Sequence, residues 1–248
     1  MIDVHIHILP GVDDGSYSME ESLRMARIAV DSGVTEMVVT PHCNLPDEEE
    51  PLWAADFAKV LESLRSSLRE NNIPLKTHLG MEIFGTEAVP DLMRQGKLTT
   101  LNGSRYPLIE FPFWNFGQQA TDILAELVDM GYRPLVAHPE RYHFTQDDPR
   151  LLNLWVDMGC YLQINRGSLF GRFGQREQAL AHGLLERNFV TCVASDAHRS
   201  TRRTPWLADA HDLICDRFSA HRASRLMEEN PRRILSNQEI QEVEPDWF

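Results

Sequence analysis

The chain has 248 residues, 42% of them hydrophobic and 25% charged, an ordinary balance for a folded globular protein that excludes a disordered or fibrous chain. A chain this long buries about 70% of its unfolded surface, so it needs no disulfide or metal staple to fold. With 37 acidic against 24 basic residues the net charge is −13. That field opposes nucleic acid and anionic membranes, so a phosphate-bearing substrate must be captured locally, by cations or a few placed arginines.

The N-terminus, Met1 to Pro10 (MIDVHIHILP), lacks a basic leader and a long apolar run. No apolar stretch approaches the roughly 18 residues of a membrane span. Cys43, Cys160, Cys192 and Cys215 are widely spaced with no CxxC pair, which predicts thiols in a reducing compartment. A cytoplasmic protein without membrane insertion is expected.

Short apolar segments with strand character occur at Ile2–Leu9, Glu36–Thr40, His78–Phe84, Pro107–Phe111, Pro134–His138, Tyr161–Asn165 and Phe189–Ser195. Helical stretches separate them. The first is marked by a capping box, Ser18-Met19-Glu20-Glu21, by Leu23, Ala26, Arg27 and Val30 at helical spacing, and by Gly33 at its close. Others are expected from about Trp53 to Glu70, Gln118 to Met130, Asp148 to Met158, Gln175 to Arg187 and Trp206 to Phe218. Strand then helix, about seven times over, predicts a parallel sheet and, at this length, a TIM-like barrel. No linker, low-complexity run or internal repeat divides the chain, so one domain, residues 1–248, is predicted. The polar stretch Ser236–Phe248 reads as a loose tail.

The informative pattern lies at the strand ends. The first segment offers His5 and His7, the second runs into His42, the third carries Glu82, the fourth Glu110 and the fifth His138. The last runs into Asp196 and His198. The C-terminal strand ends of a parallel barrel share one face, so these side chains should converge in one cleft. Residues two apart on a strand project to the same side, which aligns His5 with His7. One such pair is a weak signal; two pairs plus four single ligands are a strong one. Imidazole and carboxylate without thiolate suit manganese, iron, zinc or magnesium. The surplus of ligands predicts two or three ions, with manganese favoured. His78, His143, His182, His211 and His221 are read as ordinary histidines, His143 with the least certainty because it follows a site strand.

Met-Ile-Asp-Val-His-Ile-His-Ile-Leu-Pro-Gly-Val-Asp-Asp-Gly at the N-terminus, then VTPH, GMEIFG, LIEFP, AHPERY, QINRGSLFG, ASDAH and NPRRIL occur in that order. From Met1 to about Asn237 this set resembles the bacterial protein-tyrosine phosphatases of the PHP (polymerase and histidinol phosphatase) superfamily, metal-dependent enzymes associated with capsule and exopolysaccharide regulation. The resemblance implies a distorted (β/α)7 barrel with three metals at its C-terminal face. It implies one ion on His5, His7, Glu82 and Asp196, and a second held by Glu82, Glu110 and His138. A third would be held by His42, His198 and an aspartate of the DDG turn, Asp14, with Asp13 as the possible substitute. It also implies that Arg141 and Arg203 bind the substrate phosphate, and that the substrate is a phosphotyrosine protein such as a tyrosine kinase of polysaccharide export. Two features depart from the family pattern. TPHH becomes Thr40-Pro41-His42-Cys43, and an acidic run, Asp47–Pro51, occupies the next loop.

The expected chemistry is attack on phosphorus by a hydroxide that clustered ions generate from water, with arginine forks offsetting charge on the equatorial oxygens. Arg199 and Arg202 are read as solvated. The alternatives are a histidinol-phosphate or other small phosphomonoester phosphatase on the same fold and, last, a cysteine-dependent phosphatase. The last would use Cys160 and Arg166, which fit Cys-x5-Arg. That chemistry needs a glycine-rich phosphate loop, whereas Tyr161-Leu-Gln-Ile164 alternates like a strand.

Overall fold

The computed structural model describes residues 1–44, 52–241 and 243–248; the acidic run Asp47–Pro51 lies outside them. The strands are β1 (Ile2–Ile6), β2 (Glu36–Val39), β3 (His42–Cys43), β4 (Lys76–Leu79), β5 (Glu82–Phe84), β6 (Leu108–Glu110), β7 (Leu135–Ala137), β8 (Tyr161–Asn165) and β9 (Val190–Ala194). They pair in parallel, in the orders β1-β2-β4 and β3-β5-β6-β7-β8-β9. The two rows are one sheet interrupted. β2 runs on into β3 across Thr40 and Pro41, where proline has no N–H to give a ladder, and β4 runs on into β5 across Gly80 and Met81. Gly80 N donates to Val39 O at 2.9 Å and Glu82 N to Pro41 O at 3.0 Å, which carries the pairing through the break.

The ring closes between its first and last strands. Asp196 N donates to His5 O and His7 N to Ala197 O, both at 2.9 Å, beside a parallel bridge from Ile6 to Ala197. The buried carboxylate of Asp3 fastens this seam, accepting from Ser195 Oγ at 2.6 Å and Ser195 N at 3.1 Å. Seven strand positions thus form a TIM-like α/β barrel, and seven matches the number of segments read from the sequence. The pairing of β1 with β2 shifts register between Asp3 and Ile6. Irregularities of this kind re-aim side chains near active sites, and His5 sits in this one.

Both faces of the strands are buried, as parallel sheets require. Ile2, Val4, Val38, Leu108, Leu135, Ala137 and Cys192 belong to one buried cluster inside the ring. A larger one lies between strands and helices and includes Met25, Leu61, Leu124, Trp155 and Leu184. The main helices are Met19–Asp31, Ala54–Glu70, Gly117–Asp129, Arg150–Asp157, Gln175–Glu186 and Ala208–Arg217, each within two residues of its expected ends. The short helices Val89–Arg94, His143–Asp147 and Arg166–Leu169 give too few turns for periodicity to reveal.

Two expectations need correction. Ser18 caps its helix by accepting from Glu21 N at 3.2 Å, but Glu21 does not return the bond. Its carboxylate accepts from Ser200 N at 2.6 Å and Ser200 Oγ at 3.0 Å, so the helix start is tied to the loop after β9. The stretch 236–248 does not hang loose where it is described. Ile240 is buried, Asp246 N donates to Arg187 O at 2.9 Å, and Trp247 and Phe248 both pack on Phe189. Three apolar side chains supplied this docking surface within a sequence that reads as polar.

Candidate metal centre

Eight histidines and acids from six strand ends, joined by Asp14 from the turn after β1, meet at the C-terminal mouth of the ring. Glu82, at the start of β5, is the hub. Its Oε2 lies 3.1 Å from His5 Nε2, 3.1 Å from His7 Nε2 and 3.0 Å from His42 Nδ1, and its Oε1 lies 2.9 Å from His138 Nε2. Glu110 Oε1 is 3.5 Å from His138 Nε2 and its Oε2 is 3.7 Å from His42 Nδ1. Asp196 Oδ1 is 3.7, 3.5 and 3.6 Å from the nearest nitrogens of His5, His7 and His198. Asp14 Oδ1 stands 3.5 Å from His42 Nε2 and 3.3 Å from His198 Nε2. Four overlapping sets of ligand atoms, each within 4.8 Å of one another, result: His7–Asp14–His42–His198, His5–His7–Asp196, His5–Glu82–His138 and His42–Glu82–Glu110.

The far sides of the rings set which nitrogen faces the cluster. His5 Nδ1–H donates to Gln163 Oε1 at 2.8 Å, His7 Nδ1–H to Asp13 Oδ2 at 2.8 Å, and His198 Nδ1–H to Asp196 O at 3.1 Å. Each bond leaves Nε2 as a lone pair aimed inward, the usual way a second layer of groups prepares a histidine for a metal. His5 Nε2 and His7 Nε2 are 3.3 Å apart, so without a cation between them one of the two rings must carry a proton there. Glu82 Oε2, with three imidazole nitrogens around it, is buried and makes no hydrogen bond; His42 Nδ1 and His138 Nδ1 are likewise buried without one. Buried polar groups are almost always paired, and cations would pair Glu82 Oε2 and His42 Nδ1. The donor set therefore fits divalent ions.

The electrostatics agree. Against burial, which opposes the charge, Glu82 and Asp196 raise His5, and Asp13 raises His7 well above the ordinary imidazole value. Also against burial, His5 and His42 hold the Glu82 carboxyl well below its usual range. Glu110 is pushed up to about 7 by burial and by the neighbouring Glu82 carboxylate. Burial and the Arg141 guanidinium lower His138 to about 4. Groups displaced in both directions within one cleft are the mark of a functional site.

Backbone strain gathers here too. Apart from asparagines, the non-glycine residues with positive φ among those described are His138 (φ 33°), Asp196 (φ 48°) and Arg203 (φ 51°). Side chains other than asparagine rarely enter that region without a surrounding structure that fixes them.

Arg141 and Arg203 border the same cleft of about 510 Å³. Arg141 Nη1 lies 3.3 Å and Arg203 Nη2 2.5 Å from Asp196 Oδ2, and Arg203 Nε is buried with no partner. The apolar part of the lining includes Val12, Phe84, Pro112 and Phe113.

The nine candidate ligands and two arginines read from the sequence thus lie together at this cleft, with His5 and His7 fully buried behind its wall. The two aspartates of the DDG turn divide. Asp13 is taken up by His7, by Gly15 N at 2.9 Å and by His42 N at 3.2 Å, while Asp14 faces His42 and His198. Gly15 is required for this turn, since a Cβ there would lie 2.3 Å from His7 O. Outside the cleft, His143 stacks on Trp114, His78 pairs with Glu36 at 2.9 Å, and His182 donates from Nε2 to Leu169 O and accepts at Nδ1 from Arg217 Nη1. Arg199 Nη1 donates to His198 O at 2.9 Å and Arg202 is exposed.

The Cys160-x5-Arg166 pair is not a phosphate loop. It spans β8; the buried Cys160 thiol is pushed up to about 12 by burial, and Arg166 pairs with Asp209. Sequence reading missed Gln163 and Asn165, both fully buried on β8. Gln163 Nε2 donates to Asn165 Oδ1 at 2.9 Å and Asn165 Nδ2 to Asp196 Oδ2 at 2.5 Å, a relay linking His5 to Asp196. Two amides at i and i+2 inside an apolar strand were the available signal.

Comparison with known proteins agrees with this geometry. The family described as capsular polysaccharide synthesis, CpsB/CapC, matches residues 1–236. The tyrosine-protein phosphatase YwqE of Bacillus subtilis (strain 168) is 36% identical over 241 residues, covering 97% of this chain and 93% of that protein. The tyrosine-protein phosphatase CpsB of Streptococcus pneumoniae is 34% identical over 245 residues, covering 97% and 100%. A solved structure from work on those two proteins, described as unique metal-dependent tyrosine phosphatases, superposes with a TM-score of 0.94 at 35% identity, covering 100% of this chain and 99% of that one. A lactonase engineered for organophosphate hydrolysis shares the fold at 13% identity, with a TM-score of 0.58 over 94% of each chain.

Proposed function

The chain belongs to the CpsB/CapC family of capsular polysaccharide synthesis proteins, and from that premise we propose that it is a metal-dependent protein-tyrosine phosphatase working at the cleft described above. The observation that carries this reading is Glu82 Oε2, ringed by three imidazole nitrogens at 3.0–3.1 Å and hydrogen-bonded to none.

Two or three divalent ions, manganese favoured among manganese, iron, zinc and magnesium, would be held by His5, His7, Glu82 and Asp196, by Glu82, Glu110 and His138, and by Asp14, His42 and His198. Asp14 is the preferred ligand because Asp13 is spent orienting His7. When bound, such ions polarise phosphoryl oxygens and lower the pKa of water toward neutrality, which supplies a nucleophile.

The remaining work belongs to the chain. Arg141 and Arg203 bind the phosphoryl oxygens. One nitrogen of each is committed to Asp196, and the rest of each planar fork suits a tetrahedral oxyanion. Both guanidiniums stay charged through the reaction and oppose the negative charge that grows on the equatorial oxygens. The apolar wall at Phe84, Pro112 and Phe113 accommodates an aryl ring. A tyrosine leaving group, with a pKa of about 10, departs with little proton donation, so no dedicated acid is needed.

The substrate is a phosphotyrosine protein, and the family's capsule context favours a tyrosine kinase of polysaccharide export as its partner. Among the described residues no helix is long and apolar enough to cross a membrane; that the enzyme is cytoplasmic and has a single domain is part of this proposal. The test is turnover of a phosphotyrosine peptide before chelation, after it and after manganese is returned, with elemental analysis in parallel. Activity that tracks bound metal is expected; a chelator-insensitive rate, or a preference for histidinol phosphate over the peptide, overturns the assignment.

A further inference from the structure

We infer that Phe173 is the positioning residue that sets the planes of Arg141 and Arg203, an inference resting on the reading of those arginines as the phosphate clamp. Phe173 lies in the loop after the helix Arg166–Leu169, remote in sequence from both arginines. Its ring centre is 4.4 Å from Arg141 Cζ and 5.6 Å from Arg203 Cζ, so one ring serves both cations. Phe113 approaches Arg141 as well, at 4.8 Å.

Each guanidinium ends a flexible stem, and each has one nitrogen on Asp196 Oδ2. A single such bond fixes a distance but leaves the fork free to turn about it. The face of an aromatic ring is negative and packs flat against guanidinium within about 6 Å. Phe173 therefore fixes the orientation that Asp196 leaves open. It also lies against two like charges that share one carboxylate oxygen, and so offsets part of their repulsion.

The loop is built to hold this ring in place. A Cβ on Gly167 would come within 2.7 Å of Phe173 Cε2, so the ring rests directly on the bare backbone of that short helix. Gly174 follows at φ +140°, a conformation that only glycine adopts readily, and turns the chain into the helix Gln175–Glu186. No metal ligand touches Phe173 in any described ring contact, so its effect is on the anion and not on the ions.

The experiment compares Phe173→Leu, Phe173→Tyr, the double variant Arg141→Ala/Arg203→Ala, and that double variant carrying Phe173→Leu. The readouts are inhibition by inorganic phosphate, KM and kcat for a phosphotyrosine peptide, and bound metal. Phe173→Leu is expected to weaken phosphate inhibition and raise KM about tenfold, with metal content unchanged. Phe173→Tyr keeps the ring and is expected to stay within about twofold of the parent, and Phe173→Leu should add nothing once both arginines are gone. Phosphate inhibition that survives Phe173→Leu, a loss equal in the Leu and Tyr variants, or an undiminished effect without the arginines overturns the inference. Arginine substitutions that leave phosphate inhibition intact sink the clamp itself. Arginine effects without a Phe173 effect sink only the role of the ring. If Phe173→Leu yields no folded protein, Phe173→Met replaces it under the same criteria.

Discussion

Arg203 Nη2 forms an ion pair with Asp196 Oδ2 at 2.5 Å, while the other oxygen of that carboxylate faces His5, His7 and His198. Asp196 thus divides its two oxygens between the candidate metal cluster and the groups that would hold the substrate. Asn165 and Arg141 join Arg203 on Oδ2, so a single carboxylate would register the proposed phosphate donors against the proposed cations.

Removing either arginine should separate the two functions. Arg141→Ala and Arg203→Ala are each expected to lower kcat/KM about 10²–10³-fold, the usual cost of one donor to a developing oxyanion, while bound metal stays near normal. Steady-state kinetics paired with elemental analysis reads both. Unchanged rates in both variants would remove the clamp.

Chelation should cost stability as well as activity. Without cations the buried acids of the cluster are balanced only by protons on His5 and His7, and Glu82 Oε2 makes no hydrogen bond. A metal present at about 100 times its Kd contributes about 2.7 kcal/mol, so chelated protein should melt roughly 5–10 °C lower. Calorimetry with and without EDTA checks this, and an unchanged midpoint counts against a resident cluster.

Asp13 and Asp14 should differ in kind. Asp13→Asn disturbs the bond that orients His7, which should weaken metal binding about 10–100-fold without removing a ligand. Asp14→Ala removes a ligand and should lower the number of ions bound. Metal titration of the two variants separates affinity from stoichiometry, and equal behaviour would contradict the division of roles.

Cys160 should be dispensable. Its thiol is buried and pushed up to about 12 by burial, and the thiolate is the reactive form. Cys160→Ser is expected to retain the parent rate, and iodoacetamide should not inactivate the folded enzyme through this position. A collapse of activity in the serine variant would revive cysteine chemistry.

Glu140 offers a pH test. It is fully buried, accepts from Asn165 N at 2.9 Å and Ser168 Oγ at 2.6 Å, and is pushed up to about 7 by burial despite those two bonds. A carboxyl whose folded pKa exceeds its unfolded one favours folding when protonated. Its contribution is whole below about pH 4.5 and is lost as pH rises through 7, up to about 3 kcal/mol. Glu140→Gln removes that titration. The variant should match the parent near pH 5 and be the more stable near pH 8, by urea unfolding at the two pH values. A stability difference that does not change with pH would show that Glu140 does not titrate in this window.

Much of the site was legible because metal chemistry leaves residue types at fixed places. His5 and His7 share a strand face by the two-residue repeat, and His42, Glu82, Glu110 and His138 each stand at the end of an apolar segment. Gln163 and Asn165 are harder to read, because two amides on one strand face mark a buried polar pair but not which groups it serves. Glu21 was misread for a different reason: Ser-x-x-Glu predicts a local bond, and a loop distant in sequence, at Ser200, took the carboxylate instead. Phe173 gave no signal at all, since an aromatic in a glycine-rich loop fits a surface turn equally well.

The order of the strands and main helices, the parallel sheet and the candidate ligands at the strand ends follow from the sequence alone, because burial periodicity and donor chemistry are local properties of the chain; Asp14 entered only through the family resemblance. The tertiary structure decided what depends on closing the ring: that Asp3 on the first strand fastens Ser195 after the last, so that His5 and His7 meet Asp196 and His198 across the seam. It likewise decided that Asp14 rather than Asp13 faces the cluster, and that two arginines share one aromatic ring. Those facts rest on distances between residues far apart in the chain, which only the packed fold sets.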